Sequence, residues 1–260
     1  MDVLTELKEA DVVLVGLGEE WDDIGRLRSC AGYAEGKEAL QESGRHSLVP
    51  AWREYCSERL PDVLSPALQK LRKLLEGKNF FVVSVATDKR IPQSIREDRL
   101  VMPCGTAQRK QCASGCRDVL AELTGEDKAA LNRFFDELYG GHRPLPEGSP
   151  VLGSCPECGA AMILNNVFAE NYNEQGYLPQ WGKYTKWLQG TLNRKLAVLE
   201  LGVGMQFPSV IRWPFEKAAY FNRRASFIRV HETLYQLTEE LSGKGCGISQ
   251  NAIEWLGNLC

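Results

Sequence analysis

Four cysteines near the middle of the chain have the residue type and spacing of a metal site. Cys112 and Cys116 are separated by three residues, and Cys155 and Cys158 are separated by two. The second pair encloses a proline and is followed by a glycine, as in a zinc knuckle. Each short loop directs two thiolates at one point, which predicts a closed, structural, tetrahedral zinc site. The alternative is a set of unrelated buried thiols.

Two glycine pairs are candidates for phosphate contact. Gly16 and Gly18 end one apolar, β-branched run, and Gly202 and Gly204 end another. A run that is apolar on both faces is typical of a strand inside a parallel sheet. Glycines at the carboxyl end of such a strand let the backbone turn tightly and approach a phosphate. The pattern therefore predicts two nucleotide-binding turns at one edge of a sheet.

Two acidic residues oppose this interpretation of the first turn. Glu19 and Glu20 follow Gly18 directly, and the third glycine of the dinucleotide fingerprint is absent. Their negative charge disfavours a pyrophosphate close by. A lost nucleotide site therefore stays open as the alternative.

The helices and strands that position these residues are predicted from the spacing of apolar residues and from capping and chain-breaking residues. Residues 30–76 and the end of the chain are predicted to be helical, the latter interrupted at Gly243–Gly247. Ser65 is the predicted N-cap of one helix, and Thr124 caps another over 126–139. The predicted strands are 11–15, 79–85, 100–102, 196–201 and 225–230.

Composition sets the broad class. The chain has 260 residues, 43% hydrophobic and 25% charged, with a net charge of −3. These values suit a globular protein and give no general reason to expect nucleic-acid binding. No apolar run approaches the ~20 residues that span a bilayer, so no membrane partner is expected. The N-terminus lacks the basic and apolar regions of a secretory signal.

The cysteine count bears on the compartment. The total is nine, an odd number, which suits a reducing compartment better than a disulfide scaffold, so we expect a cytoplasmic protein. The cysteines outside the two pairs are Cys30, Cys56, Cys104, Cys246 and Cys260.

The order of these parts resembles the sirtuins, which are NAD-dependent protein deacylases and ADP-ribosyl transferases. Gly16-Leu17-Gly18 stands where the family has a glycine-alanine-glycine turn. The segment 84–88 stands where it has Thr-Gln-Asn-Ile-Asp, and Asp88 matches the final Asp. Cys104-Gly105-Thr106 stands where it has His-Gly-Ser or His-Gly-Thr, eight residues before the first zinc cysteine. The turn 202–204 replaces the family's glycine-Thr-Ser.

The resemblance implies an α/β fold: a Rossmann-type parallel sheet in a large domain, with an inserted small domain made of a zinc ribbon and helices. It places the large domain at 1–30, 77–105 and 190–260, and a helical cofactor-loop insert at 31–76. The zinc-binding domain is expected at 106–165, and an aromatic-rich connection at 166–189. His231 stands where the family has an Asn that holds the adenosine.

Two departures from the family bear on activity. Cys104 replaces the general base His, and Ala86 replaces the catalytic Asn. A thiol of ordinary pKa is a poorer base than imidazole, and alanine cannot hydrogen-bond through its side chain. Loss of both groups argues against ordinary deacylation.

Three hypotheses follow. The first is a zinc protein that binds NAD or ADP-ribose without deacylating a substrate. The second is an NAD-consuming transferase, by ADP-ribosyl transfer, NAD hydrolysis or weak deacylation, with Cys104 and Asp88 as catalytic candidates and a possible protein substrate. The third is a zinc-stabilised fold that has lost NAD. For Cys104 itself, the alternative to a reactive thiol is a small buried side chain that fills the place of the imidazole.

Overall fold

A computed structural model describes residues 2–116, 120–141 and 151–259. The strands are β1 (Val12–Leu17), β2 (Asn79–Ser84), β3 (Leu100–Val101), β4 (Gly105–Cys112), β5 (Ala121–Glu122), β6 (Met162–Asn166), β7 (Leu196–Leu201), β8 (Ser226–Val230) and β9 (Gly245–Ile248). The helices are α1 (Val3–Glu9), α2 (Ile24–Leu27), α3 (Tyr33–Glu42), α4 (Val49–Ser57), α5 (Leu64–Leu75), α6 (Arg90–Ser94), α7 (Gly125–Tyr139), α8 (Leu178–Gln189), α9 (Arg212–Phe221), α10 (Glu239–Ser242) and α11 (Ala252–Asn258).

The larger of two sheets is parallel, with strand order β3-β2-β1-β7-β8-β9. Every residue of β1 and β7 is buried, as expected for strands covered on both faces. The helices α5 and α11 cover one face of this sheet, and α8 and α9 contribute side chains to the core on the other. The predicted α/β fold with a parallel sheet is confirmed.

The sixth strand, β9, lies in a stretch that the sequence predicted only as a break between helices. It pairs in parallel with β8 from Gly245 to Ile248. A Cβ atom at Gly247 would lie 2.1 Å from the Tyr235 carbonyl oxygen, so the strand needs glycine for close backbone contact. A short, glycine-rich edge strand carries no alternation of apolar residues, which explains why the pattern did not predict it.

The chain between β3 and β7 contains the smaller, antiparallel sheet, in the order β5-β4-β6. Helices α3, α4 and α7 share an apolar core with this sheet. The predicted Thr124 cap is present, because its hydroxyl accepts the Asp127 N–H and the Asp127 carboxylate accepts the Thr124 N–H.

The predicted cap at Ser65 was wrong. Helix α5 begins at Leu64, so Ser65 lies inside its first turn and not at the N-cap position. The Asp62 carboxylate accepts hydrogen bonds from the Leu64 and Ser65 N–H groups, both at 3.1 Å, and so satisfies the free donors of the first turn.

Among the described residues, no helix combines the length and the apolar character that a membrane crossing requires.

Candidate functional site

The four predicted metal ligands come together at one end of the smaller sheet. The Sγ atoms of Cys112, Cys116, Cys155 and Cys158 all lie within 4.8 Å of one another. Neighbouring sulfur atoms are 3.5 or 3.6 Å apart. A tetrahedron with Zn–S bonds of ~2.3 Å has sulfur–sulfur edges of about 3.8 Å, so the cluster is compatible with a structural zinc ion.

Backbone hydrogen bonds shape the second half of this cluster. The Cys155 N–H donates to the Ala160 carbonyl at 2.6 Å, and the Gly159 N–H donates to the Cys155 carbonyl at 2.9 Å. Gly159 has φ +74°, a conformation that favours glycine. The resulting turn holds Cys155 and Cys158 on the same side of the loop. Among the described residues these four thiolates form the whole ligand set, so a bound zinc ion would have a structural role.

The two glycine turns touch each other at the carboxyl edge of the parallel sheet. The Gly18 N–H donates to the Leu201 carbonyl at 2.9 Å. A Cβ atom at Gly18 would lie 2.1 Å from the Gly202 carbonyl oxygen and 2.2 Å from the Val203 Cα atom. Gly16 faces the start of α9, because its Cβ would lie 2.6 Å from Ile211, the N-cap of that helix, and 3.0 Å from Phe215. The turns after β1 and β7 therefore form one continuous backbone surface.

Glu19 bonds to the backbone of the second turn. It begins a 3-10 helix, Glu19–Asp22, that leads directly out of the first glycine turn. Its carboxylate accepts the Gly204 N–H at 2.6 Å and the Gln206 N–H at 3.0 Å. These amide donors are therefore present at the turn but already have a partner.

Glu20 makes the corresponding contacts toward β8 and α11. Its carboxylate accepts the Glu232 N–H at 2.9 Å and the Ala252 N–H at 2.7 Å. Burial raises the pKa of Glu20, and the two backbone hydrogen bonds work against that effect. The side chain also lies against Gly202, whose Cβ would be 2.5 Å from the Glu20 Cβ.

His231 lies at the carboxyl end of β8, as predicted. Its Nδ1 atom accepts the Thr233 and Leu234 N–H groups, both at 3.0 Å. A ring nitrogen that accepts hydrogen bonds carries no proton. The 3.4 Å distance between Nδ1 and the Glu20 carboxylate is therefore not a hydrogen bond donated by a charged imidazole. Burial is the main cause that lowers the His231 pKa, followed by the Arg212 charge.

Asp22 connects the segment after β1 to two other elements. Its carboxylate pairs with Arg53 of α4 at 2.7 Å and accepts the Thr87 N–H at 2.8 Å. Burial raises the pKa of Asp22, although the Arg53 charge opposes this. Trp21, the residue before it, is fully buried. The segment that follows the first glycine turn is thus folded into the protein.

Glu54 is a second buried carboxyl, next to Arg53. Its Oε1 accepts the Lys89 N–H at 3.0 Å, and its Oε2 lies 3.8 Å from the Lys89 ammonium. Burial, and then the Asp88 charge, raise the pKa of Glu54 to about 8. At neutral pH this carboxyl therefore holds a proton more readily than an ordinary Glu does.

Cys104 and Ala86 are both in the interior. Cys104 is 2% exposed and Ala86 is fully buried. Burial raises the pKa of the Cys104 thiol, and the charges of Asp22 and Glu19 raise it further. A buried thiol with a raised pKa is a weak nucleophile and a weak base at neutral pH. Next to it, a cavity of 340 Å³ opens beside Gly105 and Thr106.

Asp88 forms an ion pair with its neighbour Arg90. One carboxylate oxygen lies 2.6 Å from Nη2, and the other lies 2.9 Å from Nε. Asp62 and Ser57 complete the partners of the Arg90 guanidinium. The side chain of Asp88 is therefore held by Arg90 in this structure.

Asp22, Arg53 and Glu54 were not predicted as functional residues from the sequence. The signal was weak, because residues 30–76, which include α4, were predicted only to be helical. In the structure every residue of Val49–Ser57 is buried. Charged residues at adjacent positions of a fully buried helix need partners. Arg53 pairs with Asp22 and Glu54 bonds to Lys89, and both partners lie in segments distant in sequence.

Sequence comparisons give distant relatives. No protein-family model matches the chain. A protein ADP-ribosyltransferase of Staphylococcus aureus (strain Mu50) is 19% identical over 95% of this chain and 82% of its own length. A probable bifunctional ADP-ribose hydrolase/ADP-ribosyltransferase of Fusarium oxysporum f. sp. cubense is 29% identical over 46% of this chain, but the match spans only 20% of that protein.

Structure comparisons give the fold. A histidine-to-asparagine mutant of a Sir2 homologue in complex with ADP-ribose matches with a TM-score of 0.56 and 13% identity, over 98% of this chain and 94% of that one. A second Sir2 structure, bound to a myristoylated histone peptide, matches with a TM-score of 0.53 and 14% identity, over 98% and 91%. The resemblance to the sirtuins is thus confirmed in three dimensions, and the chain has the Sir2 fold.

Proposed function

We propose that this chain binds NAD or ADP-ribose at the carboxyl edge of its parallel sheet and does not carry out Sir2-type deacylation. The observation that carries the binding proposal is the contact between the glycine turns, at Gly18 and Gly202. Ligands in open α/β sheets bind at this edge. The Sir2 homologue with the same fold is a complex with ADP-ribose, which supports the same ligand class here.

Two buried positions support the proposed loss of deacylation. Cys104 and Ala86 stand where the sirtuin resemblance places the base and the catalytic Asn. The thiol has a raised pKa, and the methyl group can neither donate nor accept a hydrogen bond. No proton acceptor with an ordinary pKa therefore takes the place of the imidazole at residue 104.

A second candidate is ADP-ribosyl transfer. The match to a protein ADP-ribosyltransferase over 95% of this chain favours it. Bound NAD would supply a ribose activated by its nicotinamide leaving group. In that case Asp88 and Cys104 are the proposed catalytic residues, and a protein is the proposed acceptor. Release of Asp88 from Arg90 would be required before its carboxylate could contact a ligand.

The test is a calorimetric titration of the zinc-loaded protein with NAD and with ADP-ribose, with nicotinamide measured in the same samples. Saturable heat without nicotinamide release supports the binding proposal, and continuous release supports the transferase. His231→Ala should weaken ADP-ribose binding. His46→Ala, at an exposed histidine outside the edge, should not. No binding of either ligand to the wild-type protein would refute both candidates.

A further inference from the structure

The amide groups of the turn after β7 already have an anionic partner inside the chain. The two Glu19 carboxylate oxygens accept the N–H groups of Gly204 and Gln206, at 2.6 and 3.0 Å. Charged oxygens bonded to two backbone N–H groups of one turn, here two residues apart, are also how a phosphate binds to such a turn. Glu19 thus makes the contacts that a bound anion would make.

The carboxylate also fills the space beside the turn. A Cβ atom at Gly204 would lie 3.0 Å from one Glu19 oxygen and 3.2 Å from Cδ. The glycine therefore leaves room for the Glu19 side chain, in the way that a glycine of a phosphate turn leaves room for its ligand. A phosphate could not occupy this position together with the Glu19 carboxylate.

The three residues after Glu19 are fixed by contacts of their own, which hold the Glu19 backbone in place. Glu20 is bonded to the Glu232 and Ala252 N–H groups, and Trp21 is fully buried. Asp22 is bonded to the Thr87 N–H and paired with Arg53. Glu19, Glu20 and Asp22 thus bond to residues that follow β7, β8 and β2, at the sheet edge where the ligand is proposed to bind.

We propose that Glu19 is an internal competitor for phosphate, which sets the affinity and selectivity of the proposed ligand site at the two glycine turns. A ligand bearing a diphosphate must exchange its own anion for this carboxylate at Gly204 and Gln206. A ligand without a phosphate at that point meets no such competition. This inference rests on the proposed function for the position of the ligand site, but its test needs neither NAD nor ADP-ribose.

The test uses inorganic pyrophosphate as the probe, titrated into the zinc-loaded 260-residue chain at constant ionic strength. Glu19→Gln removes the charge and replaces one acceptor oxygen by an amide donor. A neutral amide oxygen accepts hydrogen bonds more weakly than a carboxylate, so the amide side chain of this variant would compete less well for the Gly204 and Gln206 N–H groups. We therefore expect Glu19→Gln to bind pyrophosphate about tenfold or more tightly than the wild type. Glu42→Gln makes the same change at the exposed end of α3 and should behave as the wild type.

Thermal unfolding gives a second readout. Pyrophosphate should raise the melting temperature of Glu19→Gln more than that of the wild type or of Glu42→Gln. If Glu19→Gln does not fold, Glu19→Asp tests the same point, since a carboxylate shortened by one methylene cannot reach both amides.

The inference is overturned by equal pyrophosphate affinities, by tighter binding to the wild type, or by no binding to any variant. The proposed function is judged separately, by titration of the wild type with NAD and ADP-ribose. A wild type that binds neither nucleotide, beside a Glu19→Gln variant that binds pyrophosphate, would refute the proposed function and support the role of Glu19.

Discussion

Asp22 and Arg53 form an ion pair at 2.7 Å with side chains only 7% and 9% exposed. The pair connects the segment after β1 to α4, and the second Asp22 oxygen accepts the Thr87 N–H at 2.8 Å. Three segments that are distant in sequence therefore meet at one carboxylate.

We expect Asp22→Asn to lower the free energy of unfolding by about 3 kcal/mol or more, because it leaves the Arg53 charge buried without its partner. Urea unfolding followed by fluorescence measures this change. Asp98→Asn is the control, since Asp98 pairs with Arg96 at the same distance with both side chains about half exposed or more. The control should change stability by about 1 kcal/mol or less. Equal effects of the two substitutions would show that the Asp22 pair contributes no more than a surface pair.

Glu54 should make stability depend on pH. Its pKa is about 8 in the folded protein against an ordinary value of 4.5, so the folded state binds the proton more tightly than the unfolded chain. The contribution of Glu54 to stability is then largest below pH 4.5 and is lost as the pH rises toward 8. Glu54→Gln removes this loss, and its stability relative to the wild type should increase by at least about 2 kcal/mol between pH 5 and pH 8.

The control for Glu54 is Glu58, four residues further on and immediately after the end of α4. Glu58 bonds to the same Lys89 ammonium, at 2.6 Å, but its side chain is 59% exposed. Unfolding free energies of Glu58→Gln and the wild type should run parallel from pH 5 to pH 8. A constant difference between Glu54→Gln and the wild type over this range would contradict the raised pKa.

The parallel sheet and the cysteine cluster could be predicted from the sequence because each depends on a local pattern. Continuous apolar runs specify strands such as β1, and short cysteine spacings specify a zinc knuckle such as that of Cys155. The partners of Glu19 and Asp22 could not be predicted in the same way. Glu19 bonds to Gly204 and Asp22 to Arg53, contacts that the three-dimensional arrangement alone creates. The sequence indicated that acids follow the first turn but not that they bind the second.

Because the two glycine turns touch, substitution of Gly18 by alanine should destabilise the protein far more than the same substitution at Gly25. Gly18→Ala would place a Cβ atom 2.1 Å from a backbone oxygen, which the turn cannot accommodate without moving. We expect a loss of about 3 kcal/mol or more in unfolding free energy, or no folded protein. Gly25→Ala is the matched control, because a Cβ atom there meets nothing within 4 Å. That variant should be unchanged or up to about 1 kcal/mol more stable. A well-folded Gly18→Ala protein would show that the turns do not touch.

Cys104 should be an unreactive thiol in the folded protein. It is 2% exposed, and burial raises its pKa. Each unit by which a thiol pKa rises lowers the thiolate fraction at neutral pH about tenfold. Iodoacetamide should therefore label Cys30 and Cys246, which are partly exposed, well before Cys104. Peptide mass spectrometry after timed quenching measures the three rates. Labelling of Cys104 as fast as Cys246 in the native protein would instead support a reactive role.

Loss of one zinc ligand should unfold the smaller sheet and the helices packed on it. Cys112 and Cys155 are buried in the same apolar core as α3, α4 and α7, so the metal site and this core depend on each other. We expect the wild type to hold about one zinc ion per chain and Cys155→Ser to hold much less, with a lower melting temperature.

The control is Cys246→Ser, at a thiol outside the cluster, which should keep both its zinc content and its stability. Zinc content by atomic emission and unfolding by circular dichroism give the two measurements. Full zinc content in Cys155→Ser would exclude this cysteine as a ligand, whereas zinc loss without any change in melting temperature would show that the core is stable without the metal.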